Sequence, residues 1–353
     1  MRTSALLWIP LAAAILSLGL PYPAGAGILP HQHGPSTNSD RTQETRAAGF
    51  DHPQLTYTKL IDGVDVTIRQ VGIRPQGDRL AFSASWDSSG VAKREIYLAD
   101  ISGTDAVLIS PGNSGLGGTY GYTNPMWSKD GTKLGWIEVH MAAPNRIASY
   151  DVQTTICTYI YEPTEPLDAA NFDYLGDSNT DIVFWDWNAA TEEGDLFTFA
   201  GGVRTNITNT PDYSEYEPNS DVTGTRILFW SGEMPAEPCD TTHLLVWNGT
   251  AWLKDAGFTP IADSYWAFWA YAGYGAQDSR ICLTRYDSGG SCAEPASRDI
   301  EIWNRDGLAM VADVTGAYYP GATSWSFFGC NPVHRDGSIY FTSTDDNLSL
   351  IHI

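Results

Sequence analysis

The sequence predicts an all-β fold: a six-bladed β-propeller with four-stranded antiparallel blades, its ring closed by a strand from the amino-terminal side. Three observations predict it. First, one phrase returns at a nearly constant interval: VGIRPQGDRLAFSAS from Val71, NPMWSKDGTKLGWIE from Asn124, NITNTPDYSEYEPNSDVTGTRILFW from Asn206 and NPVHRDGSIYFTSTDD from Asn331. A repeat of about fifty residues marks a modular architecture, each copy too small to bury its own apolar face. Second, no long segment carries helical periodicity, whereas short alternating apolar runs recur throughout. Third, the last copy ends after its third strand, and an orphan strand waits before the first copy.

Each copy contains the same parts in the same order. A short strand enters from a polar loop and meets a turn: QGD (Gly77), KDGT (Gly131), SNTD (Asn179), VTGT (Gly224), AQDS (Asp278) and RDGS (Gly337). Such turns favour residues that tolerate positive φ, which explains the Gly and Asn. The second strands follow as RLAFSA, KLGWIE, DIVFWD, RILFWS, RICLTR and SIYFTS. Third strands are EIYLADI, RIASYDV, DLFTFAG, HLLVWNG, IEIWNRD and LSLIHI, and most copies add a fourth run such as AVLISPG or TTICTYIYEP. Six such copies describe a propeller. The sixth lacks an outer strand, and an open sheet edge invites aggregation. QLTYTKLID, residues 54–62, can pair with LSLIHI and close the ring.

The amino terminus reads as a targeting segment. Arg2 precedes an apolar run from Ala5 to Leu20, and Ala24-Gly25-Ala26 offers small residues for cleavage. Residues 1–26 are therefore expected to be a signal peptide. An uncleaved anchor is the alternative, but the run is shorter than the ~20 residues a spanning helix needs. Residues 27–53 are polar and aperiodic, a leader before the propeller at 54–353. The expected location is secreted or periplasmic, with a monomeric protein that does not span the membrane after cleavage.

The chain carries 42 acidic and 20 basic residues, a net charge of −22. That excludes nucleic acid and anionic membrane surfaces as partners, because both would be repelled. Five cysteines suit an exported chain without a disulfide framework. Cys282 and Cys292 flank LTRYDSGGS, a hairpin tip, and can pair across it; Cys157, Cys239 and Cys330 have no readable partners.

The phrase Thr-Asn followed by Pro-x-Trp-Ser-x-Asp-Gly-x-Lys-Leu-x-Trp resembles the repeat of TolB-like β-propellers. NPMWSKDGTKLGWIE and TNITNTPDYSEYEPNSDVTGTRILFWS match it best, and the resemblance covers roughly residues 54–353. Copies three and five depart from it at SNTD and AQDS. The resemblance implies the propeller alone, since the repeat also occurs in peptidase propeller domains and some polysaccharide lyases.

On such a fold, the loops entering the first strands share a face with the loops joining second to third strands, and function concentrates there. The entering side holds Tyr122, Asn124, Asn171, Asp173, Tyr213, Glu215, Glu217, Asp263, Tyr265 and Trp325. The hairpin side holds Trp86, Asp87, Glu138, His140, Asp186, Trp187, Glu233, Asp287 and Asp345. The expected ligand-binding mouth comprises Asp87, Tyr122, Glu138, His140, Asp173, Asp186, Tyr213, Glu215, Glu217, Glu233, Tyr265 and Trp325, with Glu215, Glu217 and Asp186 attracting a cationic or metal-bridged ligand. Aromatics packed between blades are the plainer account of any single Trp or Tyr.

The function expected from this is binding, of an envelope protein or peptide or of an extracellular glycan. A carbohydrate-active enzyme, a lyase or a glycoside hydrolase, is the alternative. His140, His243 and His334 do not obviously converge, and an acidic mouth would repel a polyanion. There is no G-x-S-x-G elbow, HExxH or P-loop. No cofactor is expected. Calcium is the one ion considered, at DSNTD (Asp177, Asn179, Asp181), which lacks the Gly and distant Glu of a calcium loop and reads more simply as a turn.

Overall fold

The structure, a computed structural model, describes most of residues 55–352. Outside the described residues lie 1–54, 57–59, 62–63, 66, 89, 102–104, 112–118, 141–142, 164–170, 189–192, 211–212, 234–240, 270–279, 287–297, 314–326, 331–339, 344–348 and 353. Among the described residues there are strands and no α-helices.

Five sheets have four antiparallel strands each. In chain order the first runs through Thr67–Ile73, Arg79–Ser88, Val91–Asp100 and Val107–Leu108. The second runs through Thr119–Trp127, Lys133–His140, Arg146–Asp151 and Cys157–Tyr161. The third comprises Phe172–Tyr174, Ile182–Asn188, Glu193–Ala200 and Val203–Asn206. The fifth comprises Ser264–Trp269, Arg280–Tyr286, Arg298–Asn304 and Met310–Asp313. The last contains Phe327–Cys330, Tyr340–Ser343 and Ser349–His352, with Leu55–Thr56 as its outer strand.

The fourth sheet departs from the expectation of six alike blades. Tyr213–Ser220, Arg226–Glu233 and Thr241–Trp247 are followed by two short strands, Trp252–Lys254 and Ile261–Ala262, which pair with opposite ends of Thr241–Trp247. Its outer edge is thus broken in two, because DAGFTP turns the chain away between them and buries Phe258. The closing segment is also shorter than expected. Leu55↔Leu350 and Thr56↔Ser349 join the last sheet, whereas Leu60–Ile61 folds onto Val64–Asp65 as a separate ribbon.

Successive sheets pack face to face, and their first strands touch one another from the first sheet to the last, which places those strands toward the axis of a propeller. The core is a series of slabs between neighbours. Ala81, Ile96 and Leu98 of the first sheet meet Tyr122, Trp127, Leu134 and Trp136 of the second. Ile137, Ile147 and Tyr161 meet Phe172, Tyr174, Phe184 and Phe197 of the third. Val183, Trp185 and Leu196 meet Ile227, Phe229 and Leu245 of the fourth, and Leu228 and Leu244 meet Trp269, Ile281 and Leu283 of the fifth. The alternating strands therefore bury both faces, which is why so many second strands read as nearly continuous apolar runs.

The turn between first and second strands repeats its hydrogen bonds. Ser128 N–H donates to Lys133 O and Gly131 N–H to Ser128 O; Arg74 with Arg79, and Asp221 with Arg226, do the same. Gly131 and Gly224 sit at φ of 71° and 67°, where a side chain is strained. In the third copy the positive-φ residue is Gly176 and not Asn179. Turns also link sheet to sheet: Gln76 Nε2 donates to Asp130 O, and Asn179 Nδ2 to Asp130 Oδ2. DSNTD is thus engaged as a turn. The fifth and sixth turns, at Asp278 and Gly337, lie outside the described residues.

Candidate functional site

The first strands share an irregularity that the repeat phrase encodes. Their pairing with the second strand slips between Ile68 and Gln70, between Thr123 and Met126, between Tyr216 and Asn219, between Tyr265 and Phe268, and between Phe328 and Cys330. A bulge re-aims the side chain it carries. Asn124 and Glu217 occupy such bulges at φ of 58° and 49°. A left-handed Glu is uncommon and costs of order 1 kcal/mol or more, and residues of this kind persist only where their surroundings hold them.

Gln70, Asn124 and Glu217 at these bulges, with Asn171 just before the first strand of the third sheet, join into a chain across four successive copies. Gln70 Oε1 accepts from the Thr123 hydroxyl at 2.5 Å and from Asn124 N–H at 2.7 Å. Asn124 Nδ2 donates to Asn171 Oδ1 at 2.8 Å, and Asn171 Nδ2 donates to Glu217 Oε1 at 3.1 Å. Trp230 Nε1 donates to the other oxygen, Glu217 Oε2, at 3.0 Å. All four linked side chains are half-buried. Asn124 and Asn171 each donate in the direction of the Glu217 carboxylate, whereas Gln70 turns its carbonyl oxygen toward Asn124. Beside it, Tyr216 is stacked between Trp185 and Trp230, at centroid distances of 5.6 and 4.3 Å.

A second, more deeply buried tier lies beneath, with Asp173 and Asn219 each two residues beyond Asn171 and Glu217 and with Lys129 reaching in from the turn after the second sheet's first strand. Lys129 Nζ is 2.5 Å from Asp173 Oδ2, which also accepts from Asn219 Nδ2 at 3.0 Å and Ser220 N–H at 2.7 Å. Asn219 Oδ1 accepts from Trp269 N–H. Burial pushes the Asp173 carboxyl up, against the pull of the Lys129 ammonium and the backbone N–H groups.

The other expected residues fall into separate groups. Glu138 is buried in the second sheet, accepting from the Tyr159 hydroxyl at 2.8 Å and lying 3.0 Å from His140 Nε2. That nitrogen is close but not well aligned, since it makes no proper hydrogen bond. Tyr122 is buried in the slab behind, and burial with the nearby Glu138 pushes its hydroxyl far up. Asp186 is buried in the third sheet and held by Arg204 Nη2 at 2.9 Å. Glu215 is buried where the third and fourth sheets meet, and burial pushes its carboxyl up to about 7. Asp87 is exposed and caps the Gly90 N–H of its own hairpin.

Tyr213 and Glu233 face each other in register, and Tyr265 opposes Thr284, but these three side chains lie outside the described residues. Trp325 and Cys292 lie wholly outside them. Cys282 is disulfide-bonded, and Cys157 is an exposed free thiol. The structure thus brings Asn124, Asn171 and Glu217 together, with Asp173 in the tier beneath. It sets Glu138 with His140 apart from Asp186 and from Glu215. Gln70 was not foreseen; the signal for it is its alignment with the residue before proline in NPMW and EPNS.

No protein-family profile and no curated protein matches the sequence. Solved structures do match. TolB from Acinetobacter baumannii aligns at a TM-score of 0.51 and 12% identity, covering 79% of this chain and 64% of that one. Two prolyl endopeptidases are represented by a structure matching at 0.50 and 12% identity, with 82% of this chain and 39% of that one covered. An oligogalacturonate lyase bound to manganese matches at 0.48 and 14% identity. The chain therefore spans 64% of the length of the TolB chain it matches. At these identities the likeness is one of fold: the protein is an all-β propeller built largely from antiparallel four-stranded blades.

Proposed function

We propose that the protein is an exported, six-bladed propeller that acts as a binding module, taking a protein or peptide partner at the axial chain Gln70–Asn124–Asn171–Glu217. The observation that carries this reading is the chain itself: polar side chains from four successive copies, two of them at positive φ, joined by hydrogen bonds that end on the Glu217 carboxylate. A blade needs no such arrangement for packing, which the apolar slabs supply. Half-buried amides offer both donors and acceptors to a partner's backbone. Glu217, on a chain of net charge −22, favours a cationic group. Residues 1–26 serve as the export signal and 27–53 as the leader in this reading.

A second reading is a carbohydrate-active protein. What favours it is the Glu138–His140–Tyr159 group, which combines a carboxylate, an imidazole and a phenol, with Trp187 exposed on the third sheet for stacking on a sugar ring. One experiment separates the two. The mature chain is used as bait in envelope extract and, separately, is incubated with soluble polysaccharides, assaying retained protein and released sugar. Near-stoichiometric capture of one protein supports the binding module. Shortened or unsaturated sugars would replace it with the second reading and make His140 the first residue to mutate.

A further inference from the structure

We infer that Asn248 is an acceptor for an N-linked glycan, transferred from a lipid-diphosphate-linked oligosaccharide by an oligosaccharyl transferase. The inference rests on the export proposed above only for where chain and enzyme would meet, and the site is separate from the axial chain.

The pattern Asn-x-Ser/Thr occurs at Asn206-Ile207-Thr208, Asn248-Gly249-Thr250 and Asn347-Leu348-Ser349, and the pattern alone does not say which copy is used. Asn347 lies outside the described residues. The structure separates the other two. Asn206 is half-buried, and its Nδ2 donates to Asp195 Oδ2 at 2.6 Å. The hydroxyl of its Thr208 accepts from Leu196 N–H at 3.0 Å, so both groups of that copy are engaged inside the third sheet. Asn248 is exposed, at the tip of the hairpin that joins the third strand of the fourth sheet to Trp252–Lys254. Its Oδ1 accepts from the Thr250 hydroxyl, from Thr250 N–H and from Ala251 N–H, all at 2.9 Å. Among the described residues its Nδ2 has no hydrogen-bond partner. Gly249 stands at φ of 96°, with nothing within 4 Å of where a Cβ would be.

This arrangement suits the transfer. An amide nitrogen is a weak nucleophile, because its lone pair is shared with the carbonyl. As Nδ2 gives a proton to a base of the enzyme, negative charge gathers on Oδ1, where three donors already point. The nitrogen then bonds the anomeric carbon of the first sugar. The bond from that carbon to the diphosphate oxygen breaks, and the lipid diphosphate leaves with the electron pair. Gly249 keeps the backbone open beside the acceptor, since only glycine takes this φ without strain. Trp247, 39% exposed, and Trp252 pair across the turn with ring centroids 5.7 Å apart, which leaves apolar surface beside Asn248 for a sugar ring to cover. The rival account is that Asn248 is a turn residue only, its carbonyl capping the N–H groups that follow.

The folded mature chain is incubated with an oligosaccharyl transferase and a lipid-diphosphate-linked oligosaccharide, with a short sequon peptide in the same vessel to prove the enzyme active. Peptide mapping by mass spectrometry reads each asparagine separately. Asn248 is expected to carry the glycan on most chains and Asn206 on none. Asn248→Gln and Thr250→Ala should each remove it, whereas Thr250→Ser, which keeps the hydroxyl, should retain it; melting curves verify that each variant is folded. Modification of the peptide with Asn248 left bare would establish the turn-only account and overturn the site. So would a glycan on Asn206 of the folded chain in place of Asn248. Because the purified chain is used, the result does not depend on export, which is read separately from the amino-terminal sequence of the protein recovered from envelope or medium.

Discussion

Removing the ammonium of Lys129 tests the buried tier that supports the axial chain. Lys129 Nζ and Asp173 Oδ2 are 2.5 Å apart, with side chains 8% and 0% exposed. Lys129→Met keeps the length and apolar stem of the side chain and leaves the carboxylate behind. Breaking a buried pair by removing one partner costs about 3–5 kcal/mol. Asp173 would still accept from Ser220 N–H, Asn219 Nδ2 and Tyr174 N–H, at 2.7, 3.0 and 2.9 Å, which places the loss at the lower end, about 3 kcal/mol. In a domain of this size that corresponds to a drop in Tm of roughly 6–12 °C.

The loss depends on pH with a definite sign. Burial raises the Asp173 pKa, so folding disfavours its charged form relative to the unfolded chain. A raised carboxyl pKa penalises folding above that pKa, and the penalty fades as pH falls through it. Without Lys129 the penalty grows. The variant should therefore lose more at pH 8 than at pH 5, measured by calorimetry on both proteins. A variant that melts within about 2 °C of wild type at pH 8 would refute the reasoning, because the ion pair would then contribute almost nothing.

Other consequences are independent of that pair. His243 is stacked on Phe229, and burial lowers its pKa to about 4. The unfolded chain then binds a proton first, so stability should fall as pH drops from about 6.5 toward 4, by roughly 1–2 kcal/mol at pH 5 once partial exposure is allowed for; His243→Gln should flatten that slope in a melting series. A Cβ at Gly135 would lie 2.6 Å from Phe172 Cζ, so Gly135→Ala should cost about 1–3 kcal/mol, read by thermal unfolding. Deleting residues 54–62 would bare the edge of Ser349–His352, and the truncated chain should aggregate or melt earlier in light scattering and calorimetry. An unchanged melting temperature would show that Leu55–Thr56 closes nothing.

Much of the architecture was legible because each copy repeats its own physics. The Asp-Gly turn, the apolar run behind it and the orphan strand before Val71 each follow from local rules. What local rules could not supply was the orientation of the polar residues. Asp173, Asp186, Glu138 and Glu215 sit in strands whose two faces are both buried, and polar residues at such positions look no different in sequence from those at a rim. The partners of the first three, Lys129, Arg204 and Tyr159, come from other strands or sheets and lie 44, 18 and 21 residues away. The broken outer edge of the fourth sheet was hidden for a related reason, since an edge strand with little burial carries little pattern. The axial chain was half visible: Asn124, Asn171 and Glu217 could be placed together by topology, but their hydrogen bonds and the strained φ of Glu217 could not.

The most direct test of the central claim is the affinity of the captured partner for wild type and for Glu217→Gln, by titration calorimetry at low salt. Near-ultraviolet dichroism would verify that the variant keeps its fold. Glutamine retains the size of the side chain but loses the charge and one of the two acceptors that Asn171 and Trp230 use. The account predicts a loss of at least about tenfold, near 1.4 kcal/mol, that shrinks as salt is raised. Equal affinity in a folded variant would contradict it and move the site away from the axial chain.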